Sequence, residues 1–444
     1  MTNQKKILNL LEDSLVSSSA DQTELILMAE DLNLSRFAEN VIHQNIAQSD
    51  HNIFCRVVLG KKIGISSTNR LEQKEIKKCI EEAIKIAQFQ KEDPNFVSLP
   101  KPGQKRKAPP SHNHTFSINP QGKALRIEGI VKKCKADNLF SAGAFQDKKE
   151  TLVVVNSLGI KKQFEQASAH ISLTVNDKEQ NSGWAQDFNW NKDELDIENL
   201  AKTAIQNALL SKNPIELPAG KYTVILEEAA IANLLLLLSF LGFGAKGFIE
   251  KRSFMAGKIG EKLTGDKITI IEDPYSPENP GIPFDYEGVD KKRVLLIENG
   301  IAKGVVYDSY HANLAGVEST GHALPPGNNF GPYPQNLVMN EGDSNEEELV
   351  ASTEKGILIT HFWYLNYMNP SKTMVTGTTR DGTFLIENGK IKSALKNMRI
   401  GQSILEAFSN VQMMTKQRKL CPQYGVSLLV PQMKIENFNF LPNQ

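Results

Sequence analysis

In this 444-residue chain, the most informative segment for the fold is Thr223-Val-Ile-Leu-Glu-Glu-Ala-Ala-Ile-Ala-Asn-Leu-Leu-Leu-Leu-Leu238. Its first four residues predict a β-strand, and the two acids that follow mark the start of a helix. The leucines at 234–238 are apolar on every side of that helix, which is typical of a helix buried in a protein core. Acids in a first helical turn stabilise the positive end of the helix dipole, so Glu227 and Glu228 have a structural explanation as well as a chemical one.

The most apolar part of the chain, Ala229 to Ala245, predicts a buried helix and not a membrane span. It contains Asn233 and Ser239 and ends in glycines at 242 and 244, whereas a transmembrane helix needs about 20 predominantly apolar residues. The first residues, MTNQKKILNLLEDSL, have amphipathic helical spacing with early acids, unlike a signal peptide. We therefore expect no membrane partner.

The amino-acid composition predicts which partners the protein does not bind and in which cellular compartment it lies. The 51 basic and 51 acidic residues cancel, so no long-range field would collect nucleic acid, and we exclude it as a partner. The basic stretch from Lys101 to Lys107 lies among prolines and predicts a solvated loop. Four scattered cysteines without a CxxC pair are typical of a reducing compartment, so we expect a cytoplasmic protein without disulfides.

The N-terminal half alternates helix and strand signals. Alternating apolar residues predict hairpins that begin at Ile53 and at Leu152. Residues 91–115 are polar and rich in Pro, Lys and His, which indicates a loop or linker. His112 and His114 lie within it, but two histidines in a flexible loop seldom bind a metal. Apolar spacing predicts helices over 4–15, 35–48, 71–89, 121–137 and 193–211.

The segment Asn213-Pro-Ile-Glu-Leu-Pro218 predicts a domain boundary. It separates an N-terminal domain, residues 1–213, with mixed helices and an antiparallel sheet, from a strand-rich C-terminal domain, residues 214–444, around the Glu228 helix. Asn-Gly pairs at 299–300 and 388–389 predict hairpin turns in the C-terminal domain, and the Gly- and Pro-rich run Ser319 to Pro334 predicts irregular structure. The predicted fold class is α+β with two domains.

Segments from both predicted domains together resemble the TldD/PmbA family of zinc-dependent peptidases. The hairpin around Asn156-Ser-Leu-Gly159 is similar to one in the family's N-terminal domain, and further segments follow in the family's order. These are Phe254-Met-Ala-Gly-Lys-Ile-Gly-Glu-Lys-Leu, Phe284-Asp-Tyr-Glu-Gly288, Ile297-Glu-Asn-Gly300, Ser319-Thr-Gly-His322, Pro334-Gln-Asn-Leu-Val, Gly342-Asp343, Lys355-Gly-Ile-Leu-Ile-Thr and Thr376-Gly-Thr-Thr-Arg-Asp-Gly382. The resemblance covers most of the chain and is densest from about residue 218 to the end.

The resemblance implies a metal site whose ligands this chain has largely replaced. One kind of family subunit carries His-Glu-x-x-x-His, with a cysteine near the C-terminus as a further zinc ligand. Here the histidine positions correspond to Glu227 and Ala232, the glutamate to Glu228, and the cysteine to the region of Cys421. A catalytic zinc needs about three protein ligands and an open position for water, and alanine offers no donor. We therefore expect no metal or other cofactor in this chain, with Glu228 as a vestigial general base.

The resemblance also implies partners. The other kind of family subunit, which is PmbA-like, lacks the motif and pairs with the first. We expect this chain to be of that kind and to form a dimer, either with a zinc-bearing TldD-like subunit or with itself. The C-terminal domains would enclose a chamber in which sheet edges hold an unfolded peptide as an extended strand.

Two other functions stay open. In an active metallopeptidase, Glu228 could work with Cys421 or a histidine in a rebuilt metal site. His311, His322 and His361 are the candidates, but none has ligand spacing with another, so we expect them to be solvated or singly hydrogen-bonded. Alternatively, the chain is a non-enzymatic module that binds peptides or a partner protein. The sequence has no Gly-x-Ser-x-Gly nucleophile elbow.

Overall fold

A computed structural model of the protein describes residues 3–103 and 117–442. The helices are α1 (Asn3–Leu15), α2 (Gln73–Phe89), α3 (Pro120–Ala136), α4 (Ile197–Leu210), α5 (Glu228–Gly242), α6 (Ala245–Ile249), α7 (Ser309–Ala315), α8 (Glu346–Ala351) and α9 (Ile404–Ser409). The N-terminal strands are β1 (Gln22–Ala38), β2 (Val41–Leu59), β3 (Lys62–Thr68), β4 (Phe140–Asn156), β5 (Lys161–Asn176) and β6 (Ser182–Asn189). The C-terminal strands are β7 (Gly220–Leu226), β8 (Ile270–Glu272), β9 (Val294–Glu298), β10 (Ile301–Ala302), β11 (Asn336–Met339), β12 (Lys355–Asn369), β13 (Met374–Glu387), β14 (Lys390–Ala394), β15 (Arg399–Ser403), β16 (Val411–Leu420) and β17 (Ser427–Leu441).

The N-terminal half contains one antiparallel sheet whose two faces pack against different parts of the protein. Its strand order is β3-β2-β1-β4-β5-β6. Because successive side chains of a strand point to opposite faces, Leu25 and Leu27 of β1 share a core with α1 and α2, while Ile26 packs against Phe284 of the C-terminal half. Ile171 of β5 packs with α3 and α4. The helices thus cover one face of the sheet, and the other face meets the C-terminal half.

The C-terminal half closes around α5. Five of its strands, β7, β12, β13, β15 and β17, pair in a closed circuit, because β17 pairs with both β15 and β7. Helix α5 packs against β12 and β17, and its Leu234, Leu235 and Leu238 are fully buried. A helix that is apolar on all sides is stable only in such an enclosed position.

The α+β prediction is confirmed, as are most of the predicted elements. The strand before Glu227 is β7, and the predicted core helix is α5. The two Asn-Gly turns connect β9 to β10 and β13 to β14, with φ of 48° and 80° in the first and 51° and 70° in the second. Positive φ at both positions is what a type I′ hairpin turn requires. Residues 319–334, all of which the structure describes, contain neither helix nor strand.

The helix predicted over 35–48 is wrong, because this segment is part of the long β1–β2 hairpin. Glu39 and Asn40 form the turn, with φ of 50° and 63°, and Phe37 pairs with Ile42 across it. Apolar residues three to five positions apart suit one face of a helix, but they also suit the two sides of a hairpin turn. The asparagine at the turn was the missed signal, since it tolerates positive φ.

The predicted linker is partly packed against the N-terminal sheet. Phe96 and Leu99 form a small buried cluster with Val58, and the Leu99 N–H donates to the Gln22 side-chain oxygen at 2.8 Å. The predicted histidine pair, His112 and His114, and most of the basic stretch lie outside the described residues.

Three further predictions from the sequence concern the cysteines, the domain boundary and the membrane. The four cysteines are free and buried in this structure. The predicted domain boundary near Asn213 lies between α4 and β7. In the described part of the chain, no helix is long and apolar enough to cross a membrane.

Candidate functional site

Backbone hydrogen bonds fix the turn from β7 into α5 on both sides. The Glu227 N–H donates to the carbonyl oxygen of Ile359 in β12 at 3.0 Å, and the Glu227 carbonyl accepts from the Ile231 N–H at 3.0 Å. Glu227 is therefore the N-cap residue and Glu228 the first residue of α5. Both carboxyl groups stand at the positive end of the helix dipole, as the sequence predicts.

Glu227 and Glu228 open into a cleft of about 730 Å³ between the two halves of the protein. One wall comes from β6, and the opposite wall comes from the end of β16. The lining includes Trp184–Trp190, Arg418–Cys421 and Glu227–Ala229. The fold thus brings Glu227, Glu228 and Cys421 to one cleft, which the sequence could not establish.

Both walls of the cleft are strand edges. Among the described residues, β6 pairs only with β5, and residues 418–420 of β16 pair only with β17. An open edge presents backbone N–H and C=O groups that have no strand partner. An extended peptide can add to such an edge as a further strand. The cleft therefore has the shape and the backbone groups to receive a peptide.

The Glu228 carboxyl group is buried, with little positive charge near it. Its exposure is 5%. Its Oε1 accepts from Gln432 Nε2 at 3.3 Å and lies 3.7 Å from Lys419 Nζ. Burial raises the pKa of Glu228, and the charge of Lys419 opposes this only in part. Because the Lys419 side chain is 59% exposed, solvent screens the attraction.

Glu227 shares this shortage of positive charge. Burial and the neighbouring Glu228 carboxylate raise the pKa of Glu227 to about 8, while Lys419 acts in the opposite direction. Glu346, the first residue of α8, adds further negative charge nearby. The two acids of the helix start therefore share one half-exposed cation. Carboxyl groups with raised pKa in a cleft are typical of sites that bind a ligand or transfer a proton.

Cys421 lies in the cleft as a neutral thiol. Its exposure is 3%, and its N–H donates to the Leu428 carbonyl oxygen at 2.8 Å. Burial, together with the charge of Glu228, raises the pKa of the Cys421 thiol to about 12. Since the thiolate is the nucleophile and the metal ligand, the thiol is unreactive in this environment at neutral pH.

The side chains of the cleft do not provide the donor set of a zinc site. Within residues 3–103 and 117–442, no group of three or more His, Cys, Asp or Glu side chains is placed to hold a metal ion. Ala232 is fully buried in the apolar core around α5 and offers no donor atom. Glu227, Glu228 and Cys421 share the cleft, but their side chains are not placed around one point as the ligands of a zinc ion would be.

Two of the candidate histidines are engaged away from the cleft. His322 is 1% exposed, and its ring nitrogens lie 3.2 Å from Glu272 Oε1 and 2.9 Å from Thr320 Oγ1. The expectation of a solvated or singly bonded side chain is therefore wrong for His322. His311 Nδ1 lies 2.8 Å from Asp308 Oδ1. Neither histidine lines the cleft.

The third histidine, His361, takes part in a contact that holds β6 beside the cleft. The ring centroids of His361 and Trp184 are 4.3 Å apart. The Ser182 hydroxyl donates to Asp381 Oδ1 at 2.5 Å, and His361 Nε2 lies 3.5 Å from the other Asp381 oxygen. Burial lowers the pKa of His361 to about 4, so the ring is neutral at neutral pH. Sequence reasoning missed this contact because its residues belong to strands that meet only in the tertiary fold.

The sequence of this chain matches two family models and several known proteins. The family described as the PmbA/TldA metallopeptidase C-terminal domain matches residues 219–441, and the one described as PmbA/TldA metallopeptidase domain 1 matches residues 32–87. Metalloprotease TldD homologs from Haemophilus influenzae and Buchnera aphidicola subsp. Acyrthosiphon pisum are each 30% identical to this chain, over 251 and 259 residues. These alignments cover 53% and 55% of this chain and 51% and 53% of the relatives. The chain thus spans about half the length of the curated relatives it matches.

The solved structures include a close likeness over the whole chain. The crystal structure of TldE from Thermococcus kodakarensis superposes with a TM-score of 0.89. The sequences are 24% identical, and the superposition covers 98% of this chain and 99% of that one. The two proteins therefore share a fold.

Proposed function

Because the chain belongs to the TldD/PmbA family of metallopeptidases, we propose that it is a zinc-free, PmbA-like subunit that takes part in peptide processing. In this proposal the chain binds an extended peptide in the cleft between β6 and β16 and completes the chamber of a dimeric peptidase. Its partner is a zinc-bearing TldD-like subunit or a second copy of itself. Hydrolysis belongs to the zinc-bearing subunit.

One observation carries the proposal. The acids at the start of α5 face a cleft bounded by two open strand edges, while Ala232, at the position of a family ligand, is buried in the apolar core. Within the described residues, the groups that can hold a peptide are thus present, whereas no set of three or more donor side chains is placed to hold zinc. This combination favours binding without independent hydrolysis.

Each part of the cleft has a task in this proposal. The free edge of β6 supplies backbone hydrogen bonds, which hold a peptide without requiring a particular sequence. Phe188 and Trp190 meet edge to face, with ring centroids 5.0 Å apart, and they supply apolar contact surface. Glu227 and Glu228 accept hydrogen bonds or the positive charge of a peptide amino group, which would relieve the shortage of cations around them.

Metal analysis combined with cleavage assays tests the division of labour. The purified protein alone should contain no stoichiometric zinc and should not cleave a panel of unstructured peptides. Addition of a zinc-bearing TldD-like subunit should give a complex that cleaves them. Stoichiometric zinc in the lone protein, lost in Glu228→Ala, would overturn the proposal.

Peptide binding can be measured separately from cleavage. Fluorescence anisotropy with a labelled unstructured peptide should show binding to the lone protein. The same peptide stapled into a helix is the matched control, and it should not bind, because only an extended chain can pair with a strand edge. Equal affinity for the two forms would contradict pairing with an edge.

Restoring the ligands tests whether their loss alone explains the absence of zinc. The double variant Glu227→His/Ala232→His recreates the spacing of His-Glu-x-x-x-His, and Glu227→His alone is the control. Overpacking a core costs about 1–3 kcal/mol, so the double variant must first be shown to be folded. We expect zinc uptake in the folded double variant only.

The same assays distinguish the two alternatives. Glu228 and Cys421 share one cleft, which is the observation in favour of a rebuilt metal site. That alternative predicts cleavage by the isolated protein that a chelator abolishes. A non-enzymatic binding module predicts peptide binding that no zinc-bearing relative converts into cleavage.

A further inference from the structure

A second groove continues the cleft across the inner face of the N-terminal sheet. Its volume is about 290 Å³, and it shares Phe188 and Trp190 with the first cleft. Residues of β4 and β5 form its floor, and the segment Pro422–Ser427, which joins β16 to β17, forms part of its opposite wall. A peptide paired with the edge of β6 runs parallel to that strand, so it enters this groove by turning across the sheet at Phe188 and Trp190.

The floor of the groove is polar, and its charges are paired. Gln146, Gln166 and Ser168 line it. Lys148 Nζ donates to Glu150 Oε1 at 2.8 Å, and Gln166 Nε2 donates to Glu150 Oε2 at 3.1 Å. Such a surface offers hydrogen bonds to neutral polar groups and no net attraction to a charged one.

The other lysine of the groove is also matched. Lys291 is 1% exposed, its Nζ donates to Gln335 Oε1 at 3.0 Å, and the charges of Glu272 and Asp285 act on it. The groove therefore gives no reason for an acidic segment to bind there.

One hydroxyl of the groove lacks a partner. Ser427 lines the groove and is 7% exposed, and its Oγ is buried without a hydrogen bond to any part of the chain that the structure describes. The position of Ser427 is fixed, since its N–H donates to the Gln335 carbonyl oxygen at 2.8 Å. A buried hydroxyl without a partner is unfavourable. Because the Oγ has no surface open to the groove in this rotamer, the side chain must rotate about χ1 before it can form a hydrogen bond with a polar group bound there.

The length of the groove sets the size of its occupant. Neighbouring strands are about 4.8 Å apart, so the distance from β6 across β5 to β4 is about 10 Å. An extended chain advances about 3.3 Å per residue and covers this distance with about three residues.

We propose that this groove is a second peptide subsite, which binds a neutral polar segment, rich in Ser, Thr, Asn or Gln, of the same extended peptide that occupies the first cleft. The inference rests on the proposed function, because the occupant reaches the groove through the walls at Phe188 and Trp190. The unpaired Ser427 hydroxyl and the paired charges of the floor select polar over charged side chains. Main-chain hydrogen bonds alone do not distinguish one peptide sequence from another. The second subsite would make the protein prefer peptides that carry a polar segment.

Nested peptides separate the two subsites. The probe is a labelled unstructured peptide that binds the first cleft, lengthened at either end by Ser-Gln-Asn, by Glu-Glu-Glu or by Lys-Lys-Lys. We expect the polar extension at one end to tighten binding about tenfold, and the charged extensions to give no such gain. Equal affinities for all extensions at both ends would overturn the inference.

Variants of the groove provide the second part of the test. Ser427→Ala should reduce the gain from the polar extension about threefold and leave the affinity for the short peptide unchanged. Ser168→Phe should fill the floor and abolish the gain. Gln412→Ala, which changes an exposed residue of β16, is the control and should behave as the wild type. A full gain in Ser427→Ala and in a folded Ser168→Phe would contradict the subsite.

Crosslinking keeps the test decisive if Ser168→Phe does not fold. A peptide with p-benzoyl-phenylalanine at the end of its polar extension should label β4, β5 or the segment Pro422–Ser427 in the wild-type protein. Labelling confined to other surfaces would contradict the inference. If the short peptide binds but no polar extension helps, only the second subsite fails. If no peptide binds at all, the proposed function fails with it.

Discussion

Two acidic sites of this protein lie in buried or partly buried surroundings but differ in how their charge is compensated. Glu24 of β1 is fully buried, and burial raises its pKa to about 7. Arg56 Nε donates to Glu24 at 3.0 Å, and the same guanidinium donates to Glu287 at 3.2 Å. Among the described residues, the cation beside the acids at the start of α5 is Lys419, which is half-exposed and 3.7 Å from Glu228.

Charge compensation distinguishes the acids that hold the fold together from those that remain available to a ligand. Arg56 and Glu24 belong to the N-terminal sheet, and Glu287 belongs to the C-terminal half, so their network fastens the two halves. The planar guanidinium suits this task because it bonds two carboxylates at once. At the cleft, the fold leaves Glu227 and Glu228 without a comparable cation. Groups that reduce the stability of the folded state in this way are typical of functional sites.

The largest effect is expected from Arg56→Met, which turns the compensated site into an uncompensated one. The variant leaves Glu24 and Glu287 without their cation, and we expect urea denaturation at pH 8 to show a loss of about 3 kcal/mol in the free energy of unfolding. The loss should be smaller at pH 5, because Glu24, with a folded pKa already near 7, then carries a proton. Arg36→Met, at an exposed arginine of β1, is the control and should stay within about 0.5 kcal/mol. Equal losses in both variants would remove the distinction between the two sites.

Glu227→Gln should stabilise the protein, and by less than Arg56→Met destabilises it. The folded pKa of Glu227 is about 8, above its ordinary value of 4.5, so the native state is penalised as pH rises between these values. Glutamine does not ionise. We expect equal melting temperatures near pH 4.5 and a variant that melts about 2–4 °C higher at pH 9, since solvent reduces the penalty for a partly exposed side chain.

Differential scanning calorimetry across this pH range provides the measurement for Glu227→Gln. Glu81→Gln, at an exposed position of α2, is the matched control and should show no pH-dependent gain. A variant that melts below the wild type at pH 9 would mean that the ionised Glu227 is compensated after all.

Lys419→Met should change the stability of the protein less than Arg56→Met or Glu227→Gln does. We expect it to destabilise the protein by less than about 1 kcal/mol at pH 8, because the lysine is mostly exposed. The loss should shrink as the pH falls toward 4.5, because Glu227, with a folded pKa of about 8, is then protonated. Lys392→Met is an exposed control on β14. A loss as large as that of Arg56→Met, measured by the same urea denaturation, would show that the cleft acids are as well compensated as Glu24.

The smallest measurable signal is expected from the cysteine thiols, which should hardly react with a thiol reagent in the native state. The four cysteines are buried, and the pKa of Cys421 is raised to about 12. We expect the native protein to react slowly with a disulfide reagent such as DTNB at pH 7.5, and the unfolded chain to release four equivalents. Cys421→Ser is the control and should lose one equivalent on unfolding. A fast equivalent in the native wild type, absent from Cys421→Ser, would mark an activated thiol in the cleft.

Local pattern was sufficient to predict much of the functional region. Strand β7, the helix start at Glu228 and the two Asn-Gly turns follow from rules that involve only neighbouring residues. The helix predicted over 35–48 failed because a hairpin around Glu39 and Asn40 places apolar residues at helical spacing. The contact of Trp184 with His361 was missed for a different reason, since no pattern within either strand indicates its partner.

The sequence was sufficient to predict the α+β class and the buried helix α5, because periodicity and residue identity are properties of the chain. Tertiary packing was needed to bring Cys421 into the same cleft as Glu228 and to place an open edge of β6 opposite them. It also decided that Glu24 has a buried cation while the acids of α5 do not. Burial and charge compensation depend on residues that are distant in sequence, so the same glutamate side chain is structural in one place and available to a ligand in another.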